Sequence, residues 1–384
     1  MGGNQRTSSK ISKWLQEIKK VRAYLLEVSI QCGYAGMFVI TMVSLNHGMS
    51  HYVLAVYRHV VAALVIAPFA LVLERGRRPK VTLPIFLQIM LLGFLEPVLD
   101  QNLYYLGMKY TTATFASATV NLAPAFTFIM AVLLRLESVN IKKIQSLAKV
   151  IGTAITIIGA MVMTLYKGPI IDFIKSGGGS HHSASNESAT GKHWISGTIM
   201  LLIGCCGFSG FFILQSITIK KYPAELSLTA LVCLMGVVEG AALTLAMERD
   251  MNAWKIGCDS RLLAVTYSGL VCSGIGYYVQ GVVNKDQGPV FIAAFSPLAM
   301  VVTAALGAIF LAEQLYLGSI IGAIFVTLGL YTYVWGKSKD LPSSAAPFTV
   351  EKGDHQQCEL PVTNNDTSIK VENSIDGACH NSTK

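Results

Sequence analysis

Charged residues are scarce in this sequence: Asp, Glu, Lys and Arg make up 14% of its 384 residues. A soluble domain typically carries about 25%, so the composition excludes an ordinary soluble fold. The charge is missing from long apolar stretches, each close to the roughly 20 residues that a membrane-spanning helix needs. Ten such stretches predict ten transmembrane helices: Tyr24–Leu45, Tyr52–Leu73, Leu83–Gly107, Ala113–Leu136, Gln145–Leu165, Ile195–Ile217, Leu226–Met247, Leu262–Val283, Val290–Leu311 and Leu317–Trp335.

Several chemical signatures are also missing. No glycine-rich run ends in Gly-Lys-Ser/Thr, so the phosphate cradle of an ATP-driven pump is absent. No Cys/His cluster has the spacing of a zinc site, and we expect neither a metal nor a cofactor. Without the phosphate cradle, any movement of solutes across the membrane must be driven by a gradient of the solute, alone or together with protons. We do not expect an enzyme.

The net charge of +8 predicts membrane topology rather than binding to nucleic acid. Lys and Arg concentrate after the even-numbered stretches, for example at 75–80 and 220–221. Positive residues accumulate on the cytoplasmic side of a membrane, so both termini are predicted to be cytosolic. The interval after stretch five is then outside, and its Asn-Glu-Ser sequence makes Asn186 a predicted glycosylation site.

An internal repeat divides the chain into halves of five helices. Matching segments occur in the same order in both halves: YYLGMKY from Tyr104 and YYVQGVV from Tyr277, NLAPAF with Pro124 and AFSPLA with Pro297, GTAITIIGA from Gly152 and GAIFVTLGL from Gly322. Because five is odd, the second copy is inverted relative to the first. Inverted repeats are typical of secondary transporters, whose solute site lies near the membrane midplane between the halves.

The predicted fold is therefore an all-α membrane protein with ten transmembrane helices in two inverted five-helix repeats. The predicted segments are a basic cytosolic N-terminus (1–22), the first repeat (23–168), a flexible extracytosolic linker (169–193), the second repeat (194–337) and a disordered cytosolic tail (338–384). The linker is rich in Gly and Ser, and the tail is polar.

Several motifs resemble one transporter family. They are GYAGMFVI in the first stretch, VYRHVVAAL in the second, FLEPVLDQNLYYLGMKYTTATFASATVNLAPAFTF across the third and fourth, and TLYKGP after the fifth. They are similar to the plant nodulin-type branch of the drug/metabolite transporter superfamily, whose repeat is called the EamA domain. That branch includes the Walls-Are-Thin-related and the Usually-Multiple-Acids-Move-In-and-out transporters. The resemblance implies a facilitator or exporter of small organic solutes in a plant membrane.

The resemblance leaves the solute open between amino acids, which we expect, and auxin-like or other organic acids. A membrane scaffold or receptor is the alternative from another class, and the inverted repeat argues against it. We expect the plasma membrane as the location, with the vacuolar membrane as the alternative. The expected partners are the solute and membrane lipid; GSIIG at Gly318–Gly322 is expected to pack within the chain, with a homodimer contact as the alternative.

Polar side chains inside the apolar stretches are the candidates for a solute site, because intramembrane charge is costly and is usually functional. Arg58 can bind a carboxylate, while Glu96 and Asp100, one helical turn apart, can bind an ammonium group or relay protons. Neutral amides can orient the solute, and the candidates are Asn121, Gln31, Gln215 and Gln280.

Prolines mark predicted helix kinks beside these side chains. Pro97 removes an amide donor and frees the carbonyl of Gly93, and Pro124 and Pro297 are predicted to act similarly in the two halves. Simpler roles stay open: Glu96 as a structural hydrogen-bond partner, Asp100 solvated or paired with Lys109, Arg58 as a packing residue, Glu27 solvated near the inner interface, and Tyr104, Tyr105, Tyr277 and Tyr278 as interfacial anchors.

Overall fold

The computed structural model describes residues 3–76, 78–111, 113–137, 142–166, 168–169, 194–257, 259–310 and 316–339. Its helices are α1 (Gly3–Asn46), α2 (His51–Leu73), α3 (Leu83–Gly93), α4 (Gln101–Tyr110), α5 (Ala113–Val120), α6 (Ala123–Leu133), α7 (Ile144–Leu165), α8 (Trp194–Lys221), α9 (Glu225–Met247), α10 (Ser260–Tyr267), α11 (Tyr277–Gln287), α12 (Pro289–Phe310) and α13 (Leu317–Lys339). A π-helical segment, Phe94–Asp100, joins α3 to α4, and another, Ser268–Gly276, joins α10 to α11. A short 3-10 helix covers Met251–Trp254.

These elements form ten candidate membrane spans within the described residues, as the sequence predicts. Span three comprises α3, its π segment and α4; span four comprises α5 and α6; span eight comprises α10, its π segment and α11. Each of the other spans is one helix. Helix α1 already begins at Gly3, so no helix boundary separates the predicted N-terminal segment from the first repeat. Asn186 and most of the predicted linker and tail lie outside the described residues.

Spans three and eight are interrupted at corresponding places in the two halves. In span three the π segment contains Pro97, which cannot donate a backbone hydrogen bond. In span eight it has no proline but contains glycines, which weaken an α-helix. Single π turns inside α-helices frequently mark functional sites. The two interruptions therefore point to the region where spans three and eight meet their neighbours.

The two other prolines behave differently from each other. Span four breaks in a turn at Asn121 and Leu122, and Pro124 then occupies the first turn of α6, where the missing amide is tolerated. Pro297 lies inside the uninterrupted helix α12. The halves are thus symmetric in fold but not in the local geometry of these two prolines.

Helices α7 and α13, the fifth spans of the two halves, pack tightly against each other. A Cβ atom added to Gly152 would lie 2.7 Å from the carbonyl oxygen of Gly329, and one added to Gly159 would lie 2.9 Å from that of Gly322. The glycines that match in sequence therefore meet in an antiparallel crossing. Another pair of equivalent spans in close contact is α2 with α9. Such contacts between equivalent spans are expected where an axis relates two inverted halves.

Candidate solute site between the two halves

The site is built around a buried ion pair between spans two and three. Arg58 and Glu96 are each 8% exposed, and the Arg58 Nη2 atom lies 3.9 Å from Glu96 Oε1. The guanidinium also donates from Nε to the Ser273 hydroxyl at 2.8 Å. Ser273 belongs to the π segment of span eight, so Arg58 links the first half of the chain to the second.

The Glu96 carboxylate accepts two further hydrogen bonds. Gln101 Nε2 donates to Oε1 at 3.1 Å, and the Tyr277 hydroxyl donates to Oε2. Gln101 follows Glu96 by five residues; in an α-helix such residues point to different sides, but the wider π turn places them together. The π segment of span three therefore shapes the acceptor side of the site.

His59 lies beside Tyr277. Its Nδ1 is 2.6 Å from the Ala55 carbonyl oxygen, which can only accept, so Nδ1 carries the proton. Its Nε2 is 3.4 Å from the Tyr277 hydroxyl. That hydroxyl has one proton to donate, which goes either to Glu96 or to His59. Tyr277 can thus exchange acceptors when the environment of Glu96 changes.

Close backbone approach holds span seven against this group. A Cβ added to Gly236 would lie 3.1 Å from Pro97 Cγ and 3.3 Å from His59 Cδ2. A Cβ at Gly93 would in turn lie 3.1 Å from the Gly236 amide nitrogen. Any larger residue at these glycines would separate spans three and seven, so their small size places Glu96 and His59 in contact with their partners.

The predicted amide candidates are distributed around the site rather than in it. Gln280 accepts from the Tyr34 hydroxyl at 3.3 Å, one helical turn from Tyr277. Gln215 accepts from Asn284 at 3.0 Å, between spans six and eight. The two remaining amides lie elsewhere: Gln31 donates to Glu27 at 2.8 Å, and Asn121 faces span five, 3.3 Å from Thr164 Oγ1.

Asp100 lies one turn beyond Glu96 and faces span six. It is half-buried, and a Cβ added to Gly204 would lie 3.3 Å from its Oδ1 atom. Within the described residues no ion pair joins it to Lys109. Its carboxylate therefore lies at the edge of the group that surrounds Arg58 and Glu96.

Comparison with known proteins agrees with this architecture. The model of the EamA-like transporter family matches residues 24–165 and again residues 195–335. The chain belongs to the EamA-like transporter family. It is similar to three WAT1-related proteins of Arabidopsis thaliana, at 61%, 56% and 54% identity, which cover 84%, 93% and 90% of this chain and 85%, 94% and 93% of the relatives.

A protein of known crystal structure shares the fold, with a TM-score of 0.63 at 16% identity, over 81% of this chain and 98% of the other. The resemblance predicted from the motifs is confirmed, as is the fold of ten helices in two inverted EamA repeats. The chain is a multi-pass membrane protein of a family of small-solute transporters.

Besides the Asp100–Lys109 pair, two of the simpler roles that the sequence leaves open are excluded in this EamA protein. Tyr277 is not an interfacial anchor, because it is 2% exposed and bonds to Glu96. Glu27 is not solvated, because it is fully buried. Sequence reasoning also missed His59 and Ser273. The adjacent Arg58 hinted at His59, but an intramembrane serine gives no signal of its own because serines commonly bond their own helix.

Proposed function

We propose that this protein moves amino acids across a plant membrane as a secondary transporter, binding each solute between the halves at Arg58 and Glu96. The observation that carries the proposal is the buried pair of opposite charges 3.9 Å apart. Charge-assisted hydrogen bonds typically measure about 2.7–2.9 Å, so this pair is not drawn fully together. A zwitterion can separate it, with its carboxylate on Arg58 and its ammonium group on Glu96.

The cost of leaving a buried charge unpaired favours a zwitterion over an organic acid. Breaking a buried ion pair by removing one partner costs about 3–5 kcal/mol, because the remaining charge is left unpaired. An amino acid gives each side chain a new counter-charge and avoids this cost. A carboxylic acid that lacks an ammonium group would pair with Arg58 and leave Glu96 without a counter-charge. When an amino acid is bound, the Tyr277 hydroxyl and the Gln101 amide, which already donate to Glu96, can orient the Glu96 carboxylate toward the ammonium group.

The test is an efflux screen in oocytes that express the protein and are loaded with radiolabelled solutes. We expect labelled amino acids to leave faster than from water-injected oocytes, and auxin and nucleosides to leave at the control rate. Arg58→Gln and Glu96→Gln should abolish the difference, whereas Arg261→Gln, at the outer end of span eight, should not. Efflux of auxin without amino acids would replace the proposal by organic-acid transport.

The location is proposed on sequence grounds. We propose the plasma membrane because the sequence contains no recognised retention signal. We propose that both termini are cytosolic because Lys and Arg concentrate on the side of the membrane where the termini lie. Fluorescence of a tagged chain in plant cells tests this: labelling of the vacuolar membrane alone would contradict it.

A further inference from the structure

Span one holds a carboxylate that the Arg58–Glu96 site does not use. Glu27 is fully buried. Its Oε1 atom accepts a hydrogen bond from Gln31 Nε2 at 2.8 Å, but its Oε2 atom, also buried, has no hydrogen-bond partner. Within the described residues no cation lies within ion-pair distance of it. A buried carboxylate with a single donor is costly as an anion, and the neutral acid is far less costly.

The elements packed against α1 do not supply a counter-charge. Helix α12, which contributes Phe291 against Tyr24 at 5.2 Å between ring centroids, contains no ionisable residue. The ionisable groups of the elements packed most closely against α1 are Arg261 and Tyr267 on α10, Cys272 on the π segment, and Tyr277, Tyr278, Lys285 and Asp286 on α11. Arg58 of α2 also reaches α1, at Met37, but Met37 is almost three turns from Glu27 and Arg58 already pairs with Glu96. Lys285 bonds to Glu225, and Arg261 bonds to the His47 carbonyl at the opposite end of span one.

Polar side chains at intervals of about one turn connect Glu27 to the solute site. Gln31 follows it by one turn, and Tyr34 follows Gln31 on the same face of α1. The Tyr34 hydroxyl donates to Gln280 at 3.3 Å. Gln280 lies one turn after Tyr277, which donates to Glu96. Three of these steps are hydrogen bonds, and the other two join side chains about one turn apart on the same helix. A change at Glu27 can therefore reach Glu96 through hydrogen bonds and neighbouring side chains.

We propose that Glu27 is the proton-binding site that couples solute movement to a proton gradient. One proton from the water on one side adds to the carboxylate and gives a neutral carboxylic acid; the same proton leaves to the water on the other side. Glu96 is unsuited to this task because Arg58 already neutralises it. The coupling rests on the proposed amino-acid transport, whereas proton binding by Glu27 does not.

Proteoliposomes test the coupling. With an imposed pH gradient, the wild-type protein should accumulate radiolabelled glutamine, and Glu27→Gln should reduce this accumulation at least tenfold. The variant should still exchange internal unlabelled for external labelled glutamine, because exchange requires no net proton movement. Glu239→Gln is the matched control: Glu239 is a half-buried glutamate of span seven that also has one unpartnered buried oxygen, and accumulation should persist in it.

Infrared difference spectroscopy tests the proton site without any solute. Wild-type protein in lipid nanodiscs should show a protonated-carboxyl band that changes with buffer pH, is lost in Glu27→Gln and persists in Glu239→Gln. An unchanged band in Glu27→Gln, or accumulation by Glu27→Gln at the wild-type level, would overturn the proposal. If the wild-type protein exchanges no amino acid, the proposed function fails, and the infrared spectra still decide whether Glu27 binds a proton.

Discussion

The charges of Arg58 and Glu96 should depend on each other for stability, and a double-mutant cycle measures this dependence. The two side chains are 9% and 10% exposed, so neutralising one leaves the other buried without a counter-charge. Such a loss costs about 3–5 kcal/mol. The 3.9 Å separation and the Ser273 bond that Arg58 retains place the expected cost of Glu96→Gln near the lower limit, at about 3 kcal/mol.

The double variant Arg58→Gln/Glu96→Gln removes both charges together. Neither is then left unpaired, so the double variant should be more stable than either single variant. Residues in direct contact typically show coupling energies of about 0.5–3 kcal/mol, and burial places this pair toward the upper end. The assay is thermal unfolding of the purified proteins in the same detergent and lipid.

The chain offers a control pair that is closer but more exposed. Lys285 Nζ lies 2.5 Å from Glu225 Oε1, with 46% and 18% of the two side chains exposed. Exposed pairs typically contribute about 0–1 kcal/mol, so the cycle Lys285→Gln/Glu225→Gln should be nearly additive. The idea that burial, rather than distance, determines the coupling energy would be refuted by either of two results. One is that the changes in stability at Arg58 and Glu96 are additive; the other is that the control pair has the larger coupling energy.

Three further predictions concern packing, prolines and topology. Gly159→Leu should destabilise the contact between α7 and α13 by about 1–3 kcal/mol through overpacking, whereas Gly76→Leu, with nothing within 4 Å of its added Cβ, should leave the melting temperature unchanged. Pro124→Ala and Pro297→Ala should both slow efflux relative to the wild-type protein, and Pro124→Ala should do so more strongly because span four breaks there. Equal efflux rates in the two variants would contradict this. Deglycosylation should shift the mass of the wild-type protein but not that of Asn186→Gln. The predicted cytosolic tail has two further acceptor sequences, at Asn365 and Asn381, and a glycan on either would reverse the predicted topology.

The sequence predicts the spans and the repeat well because both depend on local properties. Apolar length alone defines a membrane span, and the matched glycines beginning at Gly152 and Gly322 meet in the antiparallel crossing of α7 and α13. Pro97 likewise predicts the irregular turn in span three, because proline cannot donate a backbone hydrogen bond. Arg58 and Glu96 stand out as charges in apolar surroundings.

The partners of those charges could not be predicted in the same way. Membrane helices are apolar on the face toward lipid and on the face toward protein, so the pattern does not show which side points to the centre. Tyr277 is therefore indistinguishable from an interfacial tyrosine until span eight is placed, and that span has a π turn without a proline. In the sequence Asn121 is equivalent to the other amides. The helix of span four is interrupted at this residue, and its side chain faces Thr164.

The most direct test of the central claim is solute discrimination by the protein in proteoliposomes. The measurement compares the rate of exchange of an amino acid with that of the same molecule lacking its ammonium group, in the wild-type protein and in Glu96→Gln. Because leaving Glu96 unpaired costs about 3–5 kcal/mol, the wild-type protein should prefer the amino acid by at least about 100-fold. In Glu96→Gln the two molecules should exchange at rates within about tenfold of each other, because exchange of the amino acid becomes slower. An unchanged preference in Glu96→Gln would contradict recognition of a zwitterion by Arg58 and Glu96.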